Sequence, residues 1–171
     1  KPVCRRVDET GRARFLGHDQ RGGEMAVTVA RQLRLSNTEA GMIGAVVTYH
    51  MRPLLLSQAR GVTRRAAHRF YRDAGEAGLD VALLALADHL ALKPGGEPSP
   101  GWQSLLDVVE DLLRYWLEID TPEMIPTLVT GRDLIAYCHL EPGPKVGYWL
   151  RRIREEQVCG VLQSREAALQ W

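Results

Sequence analysis

The chain lacks a CxxC pair. Its three cysteines, Cys4, Cys138 and Cys159, are odd in number and widely spaced, a pattern that speaks against a zinc knuckle or a redox dithiol. Reduced thiols and a cytoplasmic setting are the expectation. No apolar run approaches the roughly 18 residues that a membrane span needs, so no membrane partner is expected. No stretch sustains period-two alternation with β-branched residues, which argues against a sheet. Aromatic residues make up only 6% of the chain. They are not interleaved with basic residues on a strand, so a sheet platform for stacking RNA bases is not indicated. Internal repeats and low-complexity tracts are missing. The chain opens on Lys1 rather than Met, and KPVCRRVDETGRARF has neither a signal core nor a helix cap. It reads as a piece of something longer.

What is present is an ordinary globular composition. The 171 residues are 45% hydrophobic and 25% charged, within the range of folded domains. A chain of this length buries roughly 68–70% of its unfolded surface, enough for a core of its own. The net charge of +1 hides an uneven distribution. Lys1, Arg5, Arg6, Arg12, Arg14 and Arg21 crowd the start, Arg60–Arg72 is a second basic run, and Glu97–Glu123 is acidic. Asymmetry of this kind bears on partners more than the net value does.

Hydrophobic periodicity predicts an all-α fold, a bundle of seven to nine helices. Met25, Val29 and Leu33 recur at helical spacing across Gly23–Leu35 and form its predicted buried face. Ser36 and Glu39 have the capping-box form and open AGMIGAVVTYHM, apolar on most sides. VTRRAAHRFYRDAG follows with Ala66, Ala67 and Phe70 as its apolar strip, and Gly75 and Gly78 break it. LDVALLALADHLAL is apolar nearly all round and expected in the core. KPGGEPSPG, Lys93–Gly101, is the clearest loop. It suggests two domains, 1–95 and 96–171. The second opens with WQSLLDVVEDLLRYWLEI, an amphipathic helix of about five turns. Thr130 and Asp133 pair as cap and third-position carboxylate. Pro142, Gly143 and Pro144 end one helix and start the next, and Ser164 caps SREAALQW.

Three constellations carry candidate chemistry. The first starts from His18-Asp19, a doublet like that of metal-dependent phosphohydrolases. His50 ends a helix, and Asp88 lies within an apolar one, where an ionised carboxylate is costly unless paired or bound to a cation. His18, His50 and Asp88 are therefore candidate metal ligands. The alternative is an Asp88 satisfied by an arginine or by loop amides, with His50 an ordinary helix-end histidine. The second is Arg65, Arg69 and Arg72, one stripe at i, i+4 and i+7, with Arg64 and His68 beside it. No acid stands at i−4 to neutralise them. The stripe suits a phosphate backbone or is a solvated face. The third is EPGPKVGYWLRRIR, a Pro/Gly turn before a helix whose first N–H groups form an anion site. Gly147, Arg151 and Arg154 share one face of it; Val146, Leu150 and Ile153 share the inward one. The alternative is an αα-corner with pairs such as Arg151–Glu155.

Taken together, RFLGHDQRGGEMAVTVARQLRLSNTE, VVTYHMRPLLL, GLDVALLALADHLA and LVTGRDLIAYCHLEPGPKVGYWLRRIREEQVCGVLQSREAALQW resemble the C-terminal half of bacterial tRNA nucleotidyltransferase/poly(A) polymerase proteins. The resemblance covers nearly the whole chain and is most specific from TGRDLI to the closing SREAALQW. It implies a transferase of tRNA processing with a nucleotide-transferring head, which uses Mg²⁺ held by carboxylates. Helical neck, body and tail parts hold the RNA, and the body often has an HD-like domain. It implies that His18 and His50 are later histidines of an HD-type site and Asp88 its terminal aspartate. The doublet proper would precede Lys1, and Asp19 would be incidental. No Gly-Ser with paired carboxylates on a strand occurs here, so head chemistry is not expected in this chain.

The expectation is a partial HD-like body and a small helical tail that bind RNA, in particular tRNA. Arg65, Arg69, Arg72, Arg151 and Arg154 are the phosphate contacts, and the chain itself needs no cofactor. His18, His50 and Asp88 are a partial or vestigial metal site, inactive alone. One competing reading is an HD-type metal-dependent phosphohydrolase domain. Another is a structural module, dimerising through Trp102–Ile119 into a homodimer.

Overall fold

A computed structural model describes residues 2–59, 61–91, 100–118 and 126–171. The expected domain boundary at 95/96, and the loop around it, lie outside the described residues. The fold is all-α. Nine α-helices occur among the described residues: α1 (His18–Gln32), α2 (Asn37–Tyr49), α3 (Arg52–Ser57), α4 (Arg64–Ala74), α5 (Gly78–Ala91), α6 (Trp102–Glu118), α7 (Gly131–Cys138), α8 (Pro144–Val158) and α9 (Arg165–Gln170). None of them is long and apolar enough to cross a membrane. Packing groups the chain into two compact units, Lys1–Val62 with Arg69–Arg114, and Thr63–His68 with Tyr115–Trp171.

The first unit opens with a feature that periodicity did not predict. Two short antiparallel strands, β1 (Arg6–Val7) and β2 (Ala13–Arg14), pair in the register Arg6↔Arg14 and Val7↔Ala13. Two residues are too few to show alternation. The turn is instead closed by Asp8, whose carboxylate accepts from the Thr10 hydroxyl, the Thr10 and Arg12 amides and Arg14 Nε. The Thr10 hydroxyl and Arg14 contribute most to holding this carboxyl down at about 2.

Helices α1 and α2 pack through small residues. Gly23 and Ala30 are the buried positions of α1, and Ala40 and Gly44 those of α2. A Cβ on Gly23 would collide with Thr48 Oγ1 and press on the Gly44 carbonyl, and one on Gly44 would collide with Val27. This close approach overrules the predicted face of α1: Met25, Val29 and Leu33 are exposed, as are Met42 and Ile43 of α2. Sequence periodicity weights the large apolar residues, whereas the contact is made where side chains are smallest. The capping box of α2 is present as read, with Ser36 and Glu39 exchanging side-chain and backbone bonds.

Helix α3, unforeseen, starts with Pro53 near its first position. In α4, Phe70, Tyr71 and Ala74 are buried, and the Tyr71 hydroxyl donates to the Leu112 carbonyl at 3.0 Å. Gly75, at φ 58°, ends α4 into a 3₁₀ turn. Gly78 does not break the chain. It opens α5, against the Tyr71 ring. Helix α5 buries only one face, Val81, Ala82, Ala85 and His89, and leaves Leu83, Leu84 and Asp88 exposed. Asp88 is therefore not the buried paired carboxylate expected of it. The buried titratable group is its neighbour His89, whose ring lies 5.5 Å from that of Trp102. Helix α6 buries Leu105, Val108, Val109, Leu112 and Tyr115 within the chain. That stripe is not an open dimerisation face.

The second unit has its own core of Val129, Leu134, Val146, Ile153, Leu162 and Ala168, with Leu128, Leu140, Leu150 and Leu169 packed against it. Val146, Leu150 and Ile153 point inward as the spacing in α8 requires. Thr130 and Asp133 form a capping box at α7, and Ser164 caps α9 by accepting from the Ala167 amide. Asp133 also accepts from Arg165 at 2.8 Å. The bond from Arg165 and those from Thr130 hold the Asp133 carboxyl at about 2. A depressed carboxyl stabilises the fold above its unfolded value and loses that contribution as pH falls towards the folded one. Asp133→Asn should therefore melt below the parent at pH 6, and the gap should close between pH 4 and about 2. A gap that persists unchanged at pH 2 would show that the charge contributes nothing.

Candidate nucleic-acid interface

The arginines singled out from the sequence fall into different environments. Arg65 points to two carboxylates of α8: its NH2 bonds Glu156 Oε2, and its Nε lies 3.5 Å from Glu155 Oε1. Both glutamates are buried, and the Arg65 side chain is 42% exposed. Arg64 donates from Nε to the Val158 carbonyl at 2.8 Å and lies over the Tyr115 ring. The opening turn of α4 is thus committed to holding the second unit together. Arg72 pairs with Asp73 at 2.7 Å, and Asp73 also receives Arg52 at 2.9 Å. Arg69 is exposed. The stripe has no acid at i−4, yet its neutralising acids come from elsewhere, one adjacent in sequence and two from a distant helix.

Helix α8 distributes its charge differently. Its Glu155 and Glu156 are turned inward, while Lys145 and Arg151 are exposed and Arg152 and Arg154 are partly so. Arg154 donates from NH1 to Gln157 Oε1 at 3.3 Å. Helix α8 starts on Pro144 after Gly143, with no side chain capping its first amides. The solvent side of α8 therefore carries only positive charge. The pair Arg151–Glu155 expected of an ordinary corner is not formed, since Glu155 is buried beside Arg65. Helical spacing alone did not show where the acids go.

His18 and His50 are brought together, with ring centroids 5.5 Å apart and nearly perpendicular. Each Nδ1 meets a carbonyl one turn back, Phe15 O at 2.7 Å and Val47 O at 2.6 Å. If each Nδ1 carries the proton, the Nε2 atoms keep their lone pairs, and His18 Nε2 is buried without a partner. This is the tautomer that ligating histidines take. Asp88 does not join them: among the described residues no group of three or more His, Cys, Asp or Glu is placed to hold one ion. The described residues do not make a metal cage.

Helix α8 thus turns its acids inward and its cations to solvent. Comparison with known proteins gives the chain relatives. It is 29% identical over 163 residues to the A-adding tRNA nucleotidyltransferase of Deinococcus radiodurans, covering 95% of this chain and 36% of that protein. It is 31% identical over 169 residues to the CC-adding tRNA nucleotidyltransferase of Thermus thermophilus, covering 98% of this chain and 36% of that protein. The chain is similar to part of these two proteins and spans a little over a third of their length. No family model and no solved structure matches it.

Proposed function

We propose that this chain is an RNA-holding helical body and tail, the C-terminal part of a tRNA nucleotidyltransferase/poly(A) polymerase-like protein. It grips a tRNA backbone for a Mg²⁺-dependent head that its own residues do not form. The carrying observation is α8, whose two carboxylates are buried on Arg65 while its exposed charges are all cations. A helix whose exposed charges are all cations favours phosphate as a partner. Arg151 and Arg154 are assigned to this contact; Arg69 and Arg72, on the first unit, are separate candidates for phosphate. Arg65 has a structural duty first. An HD-type phosphohydrolase is not proposed, because Asp88 stands apart from the histidine pair.

The test is binding of an unmodified tRNA transcript by the 171-residue chain over a range of salt. Affinity should fall steeply with salt, and Arg151→Glu should reduce the slope by roughly 0.7–0.9. The loss should be about equal for different tRNAs, because backbone contacts carry no base information. Arg31→Glu, an exposed reversal on α1, is the control. Equal losses at Arg31 and Arg151 would mean diffuse attraction and no defined site. No binding at low salt would remove the RNA reading.

A further inference from the structure

Beside the cations of α8 the second unit holds a cluster of aromatic rings that its core does not use. The Trp149 and Trp171 rings meet edge to face, with centroids 6.2 Å apart. Tyr148 meets Trp149 in the same way at 5.5 Å. The Arg152 guanidinium lies over the Trp171 ring, 5.7 Å from its centroid. Tyr148, Trp149 and Trp171 are 49%, 39% and 48% exposed. These are large rings, each with much of its surface in water, held in place by one another and by a guanidinium. Contiguous exposed apolar surface bordered by polar groups marks a contact site.

We propose that Trp149, Trp171 and Tyr148 form a stacking surface for unpaired nucleobases, with Arg151, Arg152 and Lys145 taking the adjoining phosphates. The proposal rests on the RNA reading of α8 and adds to it a contact that phosphate neutralisation does not supply. Base faces stack on aromatic rings whatever the sequence, and arginine adds cation–π attraction. Charge is what selects an RNA segment over a protein partner for this face. Of the five acidic side chains in residues 126–171, Glu155 and Glu156 are buried and Asp133 is bound by Arg165, which leaves Glu141 and Glu166 exposed. Against these stand Arg132, Lys145 and Arg151, all exposed, and Arg152 and Arg154, partly so. Tyr148 and Trp149 sit on α8, whose exposed charges are cations, and Trp171 at the end of α9 joins them, which is the combination that a base with its phosphate matches.

The experiment measures the whole chain binding a tRNA transcript and a short single-stranded oligo(A), by affinity and by quenching of tryptophan fluorescence. Trp149→Ala and Trp171→Ala should each weaken binding roughly ten-fold or more, with the salt slope unchanged because no phosphate contact is lost. Trp149→Phe and Trp171→Phe keep a ring and should retain most of the affinity, which separates stacking from damage to the fold. Arg151→Glu should do the opposite, lowering the slope. Trp→Ala variants that bind like the parent, while Arg151→Glu weakens binding, would overturn the stacking surface and leave the RNA reading standing. A parent that binds no RNA at low salt would remove both. A parent dimer that Trp171→Ala dissociates, with RNA affinity unchanged, would assign the rings to a protein contact and overturn the proposal.

Discussion

Arg65→Met should lower the melting temperature by about 5–10 °C. Glu155 and Glu156 are 3% and 5% exposed, and Arg65 is the guanidinium that meets both. Removing one partner of a buried pair leaves a desolvated charge behind, a loss of about 3–5 kcal/mol when both groups are fully buried. The Arg65 side chain is 42% exposed, so water screens part of the interaction and the loss falls below that of a fully buried pair. For a chain of this size each kcal/mol moves the midpoint by roughly 2–4 °C. Glu156→Gln in the Arg65→Met background should recover part of the loss, since it removes the stranded charge. A single variant as stable as the parent would show that Glu156 is solvated after all.

The same contact changes how RNA-binding variants are to be read. A reversal at Arg65 would weaken tRNA binding by unfolding the second unit, whether or not Arg65 touches phosphate. Arg151 has no such duty, and its reversal tests charge alone. The inward turn of Glu155 and Glu156 thus does two things at once. It ties α8 to the first turn of α4, and it leaves the solvent side of α8 to cations and rings.

Signals within one turn of helix were legible in the sequence. Ser36 with Glu39, Thr130 with Asp133, and Ser164 each satisfy an amide three residues away, and their spacing alone identifies them. The inward face of α8 was legible too, because Val146, Leu150 and Ile153 recur at helical spacing. What depends on distant residues was not. Arg65 finds its acids 90 and 91 residues along the chain. Asp88 and His89 are neighbours on an apolar helix, and only the packing of α5 decides that His89 goes inward. The aromatic cluster needs α9 to bring Trp171 to Trp149. Its one local sign was the YWLRR run, Tyr148–Arg152, where rings precede cations on a helix and not on a strand.

The face of α1 is the plainest case of packing overruling pattern, and two glycines test it. Gly23→Ala gains helix propensity of up to about 1 kcal/mol, yet its Cβ would fall on Thr48 Oγ1 and within 3.0 Å of the Gly44 carbonyl. A side-chain hydroxyl can rotate; a carbonyl of the packed α2 backbone cannot move without shifting the helix. Thr48 also donates to that carbonyl at 2.7 Å, so displacing its hydroxyl leaves a bond unmade. Overpacking of this kind costs about 1–3 kcal/mol, and the net effect should be a loss of about 1–2 kcal/mol. Gly41 lies on α2 with nothing within 4 Å of an added Cβ. Gly41→Ala meets no clash and should stabilise by roughly 0.5–1 kcal/mol through propensity alone. The two substitutions are chemically identical and should move the melting temperature in opposite directions. If Gly23→Ala raises it as Gly41→Ala does, α1 and α2 do not pack backbone to backbone, and the sequence-predicted face of Met25, Val29 and Leu33 is the one that α1 buries.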